Sequence, residues 1–258
     1  MTRFKFNVAF AGLAFATLGS LAVFAQQQNF DVVEVKVQKA QGNVYMLVGA
    51  GGNVTLDIGD AAQGAQIISH INAYKRMSAK VNGQYATPAG AWPTSTFIGD
   101  EKKLYFNGEG IQIVHQASAH TDGDSLVFFR KSDVISAGDL FVTNGYPFID
   151  LNAGGNVQGI VAGLNKIVDL CIPVYGQEGG TMVIPGHGRL SDMGDVINYR
   201  EMVTIVRDRV QDMVKKNLTL DQVKAAKPTR DYDPLYNTPG AFVTGDAFVE
   251  AVYRSLKK

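Results

Sequence analysis

Gly110-Ile111-Gln112-Ile113-Val114-His115-Gln116-Ala117-Ser118-Ala119-His120-Thr121-Asp122-Gly123-Asp124-Ser125-Leu126-Val127-Phe128-Phe129-Arg130-Lys131-Ser132-Asp133-Val134-Ile135-Ser136-Ala137-Gly138-Asp139-Leu140-Phe141 is the stretch that decides the fold. Three apolar segments, Ile111–Val114, Leu126–Phe129 and Val134–Ala137, are split by short polar turns, the pattern of consecutive strands. Two breaks carry side chains able to hold a metal: His120 ahead of Asp122-Gly123, and Asp139 after Ala137-Gly138. A rigid sheet delivers side chains to a site at its strand ends. Both residues are therefore candidates, with His120 and Asp139 each expected at the end of a strand.

Upstream of this stretch the chain is rich in strands. Asp31 to Gln38 alternates Val33, Val35 and Val37 with Glu34, Lys36 and Gln38, which predicts a half-buried strand. Val44–Val48 and Val54–Ile58 flank the glycine-rich Gly49-Ala50-Gly51-Gly52-Asn53. No Lys-Ser/Thr follows those glycines and no helix opens after them, so they read as a hairpin tip and not a phosphate loop. Residues 61 to 78 either follow helical spacing through Ile67, Ile71 and Tyr74 or form a short strand, Ala65–Ser69, before a short helix. His70 in this region is expected to pack or hydrogen-bond. Residues 79 to 100 read as a loop, and Trp92 within it either touches substrate or packs the loop down. Lys103–Phe106 and Ile111–Val114 make a hairpin around Asn107-Gly108-Glu109-Gly110.

Downstream, helices alternate with strands. Asn156 to Leu170 carries Val157, Ile160, Val161, Leu164, Ile167 and Val168 at amphipathic spacing. Thr181–Ile184 is a short strand running into Pro185-Gly186-His187-Gly188. Asp192 to Lys216 predicts a long helix with Val196, Tyr199, Met202, Val203, Val206, Val210 and Met213 as its apolar stripe. Thr219-Leu220-Asp221-Gln222 has capping-box form and opens another helix, which Pro228 and Pro234 break. A final helix is predicted from about Asp246 to Leu256. Strands first, then strands interleaved with helices, fit an α/β fold with sheets sandwiched between helices.

The chain of 258 residues has 24 basic and 24 acidic side chains and is 46% apolar. That supports a full core and argues against a nucleic-acid surface, which would show as clustered basic charge. Arg3 and Lys5, the apolar run Val8 to Phe24, and Val23-Phe24-Ala25 before Gln26-Gln27-Gln28 read as a secretory signal peptide cleaved after Ala25; the alternative is an uncleaved anchor. Cleavage would leave a periplasmic or secreted protein without a membrane span. Cys171 is the only cysteine, so no internal disulfide is available. Its apolar setting, Val168-Asp169-Leu170-Cys171-Ile172-Pro173, predicts a buried structural thiol and not a ligand or nucleophile.

The four histidines are His70, His115, His120 and His187. His120 and His187 lie where strands run into glycine, and Asp139 has Gly138 before it. Two imidazoles and a carboxylate on three such turns are a plausible metal set, suited to zinc, with iron or manganese as alternatives.

Ala119-His120-Thr121-Asp122-Gly123-Asp124-Ser125, Ala137-Gly138-Asp139-Leu140-Phe141 and Val183-Ile184-Pro185-Gly186-His187-Gly188, in that order, resemble the second half of a metallo-β-lactamase-fold hydrolase. The hairpin at 44–58 resembles that family's N-terminal hairpin. The resemblance implies an αββα sandwich over residues 26–217, after a leader at 1–25 and before a helical extension at 218–258. It implies that His120 binds a first metal, Asp139 bridges, and His187 binds a second; His115 matches no ligand position. It also implies water attack on a small-molecule ester, lactam, thioester or phosphoester. The family's signature, His-x-His-x-Asp-His, is absent: between Asn43 and Ala119 the one histidine is His70. Leu56-Asp57-Ile58-Gly59-Asp60 passes straight to Ala61-Ala62-Gln63-Gly64, and both flanks resemble what surrounds the signature in the family. An internal deletion in the N-terminal half is the expectation, with one zinc ion at most and weak or lost activity. The alternative is a non-catalytic exported binding protein or remnant on the same scaffold. Lost strands would leave apolar faces and sheet edges bare.

Overall fold

Glu109 to Val142 folds as the sequence pattern demands, into three antiparallel strands whose alternate residues face opposite layers. In this computed structural model, which describes residues 35–49, 52–57, 66–171 and 180–257, the elements run in the following order. β1 is Lys36–Gln41, β2 Val44–Gly49, β3 Gly52–Asp57, β4 Ile68–His70, α1 Ile71–Met77, β5 Lys80–Val81, β6 Gln84–Tyr85, β7 Ser95–Phe97, β8 Glu101–Phe106, β9 Glu109–Gln116, β10 Asp124–Phe129 and β11 Val134–Val142. Then come α2 Val157–Leu170, β12 Met182–His187, β13 Ser191–Asp192, α3 Met193–Lys215, α4 Leu220–Ala225, α5 Asp233–Tyr236 and α6 Gly245–Leu256. The leader at 1–25, the start of the strand expected from Asp31, and Ile58–Gly64 lie outside the described residues.

A six-stranded sheet has the order β13-β12-β11-β10-β9-β8, and β1-β2-β3 form a separate three-stranded sheet. All neighbours in the large sheet are antiparallel except β11 and β12. That parallel pair needs a crossover, which α2 supplies. Period-two alternation divides each strand between two cores. Val114, Leu126, Ile135, Ala137 and Val183 join α2, α3 and α6 in one cluster. Ile111, Ile113, Phe129, Val134 and Ile184 face the other way and meet Val44 and Met46 of β2 in a second. Phe97 and Ile68 bring the small parallel pair β4–β7 against that second cluster.

The caps follow the sequence. Asn156 accepts from Gln158 N to start α2. Asp192 and Thr219 open α3 and α4 with the reciprocal bonds of a capping box, Asp192 with Asp195 and Thr219 with Gln222. The residues after 217 are part of the same core: Phe248, Val249 and Val252 of α6 are 0–1% exposed against the α2–α3 cluster. Cys171 is buried there, and burial pushes its thiol up to about 12, so it stays protonated and unreactive. Trp92 packs its loop, with its indole N–H on the Thr87 carbonyl and Tyr74 and Tyr85 against its ring. The loop expected at 79–100 contains the small hairpin β5–β6 and the strand β7. A four-residue helix, α5, forms at Pro234, where the sequence suggested only a break.

The first strand differs from expectation. Val35 and Val37 were to be its buried face, yet they are 54% and 64% exposed. The register sets Val37 opposite Leu47, and Leu47 opposite Val54, so these residues share the outer face of the sheet. Val54 and Leu56 are also exposed there. The inner face, carrying Val44 and Met46, is the one that packs. Period two identified an apolar face but could not say whether a layer would cover it.

This asymmetry predicts unequal mutational costs. Ile113→Val in the inter-sheet core should cost about 1 kcal/mol. Val54→Thr on the bare face should stay within about 0.5 kcal/mol of the parent. Urea unfolding of both variants checks this, and a costly Val54→Thr would mean that the face is covered.

Among the described residues no helix is long and apolar enough to cross a membrane.

Candidate functional site

His120 sits in the turn between β9 and β10. The turn is tied down by backbone bonds: Asp150 N donates to His120 O, and Asn156 N to Ala119 O. Asp124, the first residue of β10, organises the imidazole. Its carboxylate accepts from Thr121 N at 2.8 Å and Thr121 Oγ1 at 2.9 Å, and lies 3.2 Å from His120 Nδ1. Burial by itself lowers the pKa of His120. The hydrogen bond and charge of Asp124 outweigh it, Asp139 and Asp150 add to them, and the net shift is upward. A carboxylate on one ring nitrogen is also the usual second partner of a metal-bound histidine, leaving Nε2 as the ligating atom.

Asp139 is not at a strand end, as the turn-like Gly138 suggested. β11 continues through it to Val142. Pairing with β12 slips here: Gly138 aligns with Pro185, but the next aligned pair is Val142 with His187. The irregularity interrupts the ladder at Asp139, as a bulge does when it re-aims a side chain toward a site. His187 closes β12, and its carbonyl accepts from Thr143 N at 3.0 Å. Its Nε2 stands 3.4 Å from Asp139 Oδ1, an ion-pair distance, with both side chains nearly half exposed.

The structure thus brings Asp139 and His187 together and places His120 on a separate turn with Asp124. Phe148 links the two parts, since its ring is 5.6 Å from that of His120 and it lines the cavity that Asp139 and His187 border. Among the described residues, no three His, Cys, Asp or Glu side chains are drawn together to hold a metal. An ion bound at Asp139 and His187 would have to bring His120 in as a third donor. The donor types suit zinc.

The cavity measures about 310 Å³ and is lined by Asn144, Tyr146 and Phe148 on one side and by residues 238–243 on the other. That is at the small end for a ligand pocket, which typically spans about 300–1,000 Å³. Tyr146 is fixed by its hydroxyl on Asp233 Oδ1 at 2.9 Å and by stacking on Phe248. Burial pushes its pKa upward, with Asp233 adding, so it remains neutral. Phe242 meets Phe148 edge to face at 5.6 Å and is 87% exposed. Sequence reading missed this wall. Asn237-Thr238-Pro239-Gly240 carries a turn signature, but nothing local says where that turn will lie.

His70 and His115 take no part in the pocket. His70 is buried, accepts from Asn72 N at the start of α1, and stacks on His115 at 3.6 Å between ring centroids. His115 donates from Nε2 to Asp122 O at 2.8 Å.

No protein-family model matches the chain, and no curated protein matches it in sequence. Solved structures do. The chain is similar to the stereoselective inverting sec-alkylsulfatase Pisa1 from Pseudomonas sp., with TM-score 0.54 and 9% identity over 85% of this chain and 50% of that one. A double mutant of that sulfatase gives TM-score 0.53 at 10% identity, with the same coverage. The DIM-1 metallo-β-lactamase gives TM-score 0.43 at 14% identity, covering 67% of this chain and 98% of that one. The chain spans about half the length of the alkylsulfatase it matches. Its fold is α/β, of the metallo-β-lactamase-like sandwich type.

Proposed function

We propose that this chain is a metallo-β-lactamase-fold relative of the metal-dependent hydrolases in which His120, Asp139 and His187 are the surviving part of the metal site. On this reading the His-x-His-x-Asp-His segment has been deleted at the junction of Asp60 and Ala61. The site then holds at most one zinc ion, weakly, and hydrolysis is weak or lost. The observation that carries the reading is the Asp139–His187 pair, assembled at 3.4 Å on the edge of the cavity. His120, braced by Asp124, supports it as the third donor. When bound at such a site, zinc lowers the pKa of its water to about 7 and polarises the group under attack. The chain's own part is to orient the donors and to offer an apolar wall, Phe148 and Phe242, for the body of a small substrate. The leader-like residues 1–25 support export, and a mature protein beginning at Gln26 is the expected exported species.

Zinc titration of the purified chain against a competing chromophoric chelator, with His187→Ala alongside, tests the proposal. The expected result is a single weak site in the parent and at least a tenfold loss in the variant. Absence of zinc binding in both, or two tight ions in the parent, would overturn it. A lactam, an ester, a thioester, a phosphoester and a sec-alkyl sulfate form the activity panel, the last because the alkylsulfatase shares the fold. Turnover is expected to be slow on every member.

A second reading, a non-catalytic exported protein that binds a small molecule, is favoured by the cavity itself, whose aromatic wall needs no metal. Retention of an apolar fluorescent probe in excess chelator, abolished by Phe148→Ala, would support it over the first.

A further inference from the structure

Asn53 stands 132 and 135 residues before the two carbonyls it binds. Its Nδ2 donates to Pro185 O at 2.9 Å and to Gly188 O at 3.0 Å. A primary amide has two N–H donors, and each here has a carbonyl. The carbonyls lie on either side of His187, so one planar group fixes the span of the turn that carries the imidazole. Gly52, one residue earlier, makes room for the ring. A Cβ there would come within 3.3 Å of His187 Cε1 and 3.1 Å of Gly186 O, at a φ of +129° that side chains rarely adopt. Thr55 Oγ1, two residues on, donates to Ser136 Oγ at 2.8 Å and anchors the same strand to β11. β3 is thus fastened along its length to the two strands that bear Asp139 and His187.

We propose that Asn53 is the positioning residue for His187, clamping the 185–188 turn so that the imidazole faces Asp139. This rests on the reading of His187 as a zinc donor only for its consequence in affinity; the clamp itself is independent of metal. The bare outer face of β3 gives the arrangement its sense. The strand contributes little burial on that side, and its inner edge carries polar ties to the His187 turn. Without them the turn could drift by the few tenths of an ångström that donor geometry does not tolerate.

Two measurements on the full chain test the clamp. In metal-free protein, the imidazole signals of His187 in a long-range proton–nitrogen spectrum should shift or broaden in Asn53→Ala, while those of His70 and His115 stay in place. In zinc titration the same variant should bind about 10–100-fold more weakly, the range seen when groups behind metal ligands are removed. Asn53→Gln keeps the donor amide and should recover part of both effects; it also serves if Asn53→Ala fails to fold. Thr55→Val loosens β3 without touching the turn and should leave the His187 signals unmoved. Unchanged His187 signals in a folded Asn53 variant would overturn the clamp, as would a Thr55→Val shift equal to that of Asn53→Ala. If the parent binds no zinc, the functional reading fails while the metal-free spectra still decide the clamp.

Discussion

Gly159→Ala is expected to destabilise the protein by at least about 2 kcal/mol, although the same change in most helices stabilises by roughly 0.5–1 kcal/mol. Gly159 lies in the first turns of α2 and is intermediate in exposure. A Cβ there would sit 1.9 Å from the Ser118 carbonyl oxygen, 2.4 Å from its carbon and 2.9 Å from the Ala117 oxygen. Those are backbone atoms, so no side chain can rotate away. Either α2 lifts from the 117–120 turn or the turn itself moves. The helix cannot lift cheaply, because Ile160, Leu164 and Ile167 are fully buried on its inner face. The turn cannot move cheaply either, because Ala119 O and His120 O are acceptors for Asn156 N and Asp150 N. Urea unfolding should show a lower midpoint with an unchanged slope, and the His120 ring signals should move with it. A variant as stable as the parent would mean that α2 does not press on the His120 turn.

The same contact explains what could and could not be read from the sequence. The strands β2 and β9 to β11, the helices α2, α3 and α6, and the caps Asn156, Asp192 and Thr219 are local events. Alternation, amphipathic spacing and short polar caps encode them directly. Asp139 was found as a candidate but misplaced within its strand. Gly138 looks like a turn, yet the strand carries on because β12 lies beside it and absorbs the irregularity. The exposure of Val35 and Val37 escaped for the opposite reason, since alternation marks an apolar face whether or not a layer covers it. The partnership of Asn53 with Pro185 and Gly188, and the wall contributed by residues 238–243, depend on contacts across the whole chain. No local pattern carries them. Asp139 and His187 were grouped with His120 by their glycine-flanked turns, and the metallo-β-lactamase resemblance implied a role for each; that the two meet at 3.4 Å depends on the packing of β11 against β12. His120's separate tie to Asp124 became visible only in three dimensions.

Acidification should unfold the protein from the His70–His115 stack, which does not line the pocket. His70 and His115 stack with their planes 12° apart, and Phe97 closes the edge of His70 at 5.3 Å. Burial lowers the pKa of His70, the neighbouring His115 lowers it further, Asp122 opposes, and Lys75 lowers it again; the net shift is downward. Asp122 is itself ion-paired with Arg76. Because the folded pKa lies below the unfolded value, the unfolded chain takes up the proton first. The stability is fully present above about pH 6.5 and is lost as pH falls through the lower folded value. A charge on His70 would have to be held within its packed contacts with His115 and Phe97, which is what the fold resists. His120 works the other way. Its raised pKa contributes stability below the unfolded value that is lost as pH rises through the folded one. The two effects are separable by mutation. His115→Gln keeps a donor for Asp122 O and removes the second charge, and His70→Asn keeps an acceptor for Asn72 N. Thermal melts between pH 7.5 and 5 should show a steep fall in the parent and a shallower one in the double variant. Parallel curves would place the acid sensitivity elsewhere. In the parent, α1 should loosen first, because His70 caps it and stacks on His115 of β9. Amide exchange at Tyr74 and Arg76, measured on either side of pH 6.5, would show that order directly.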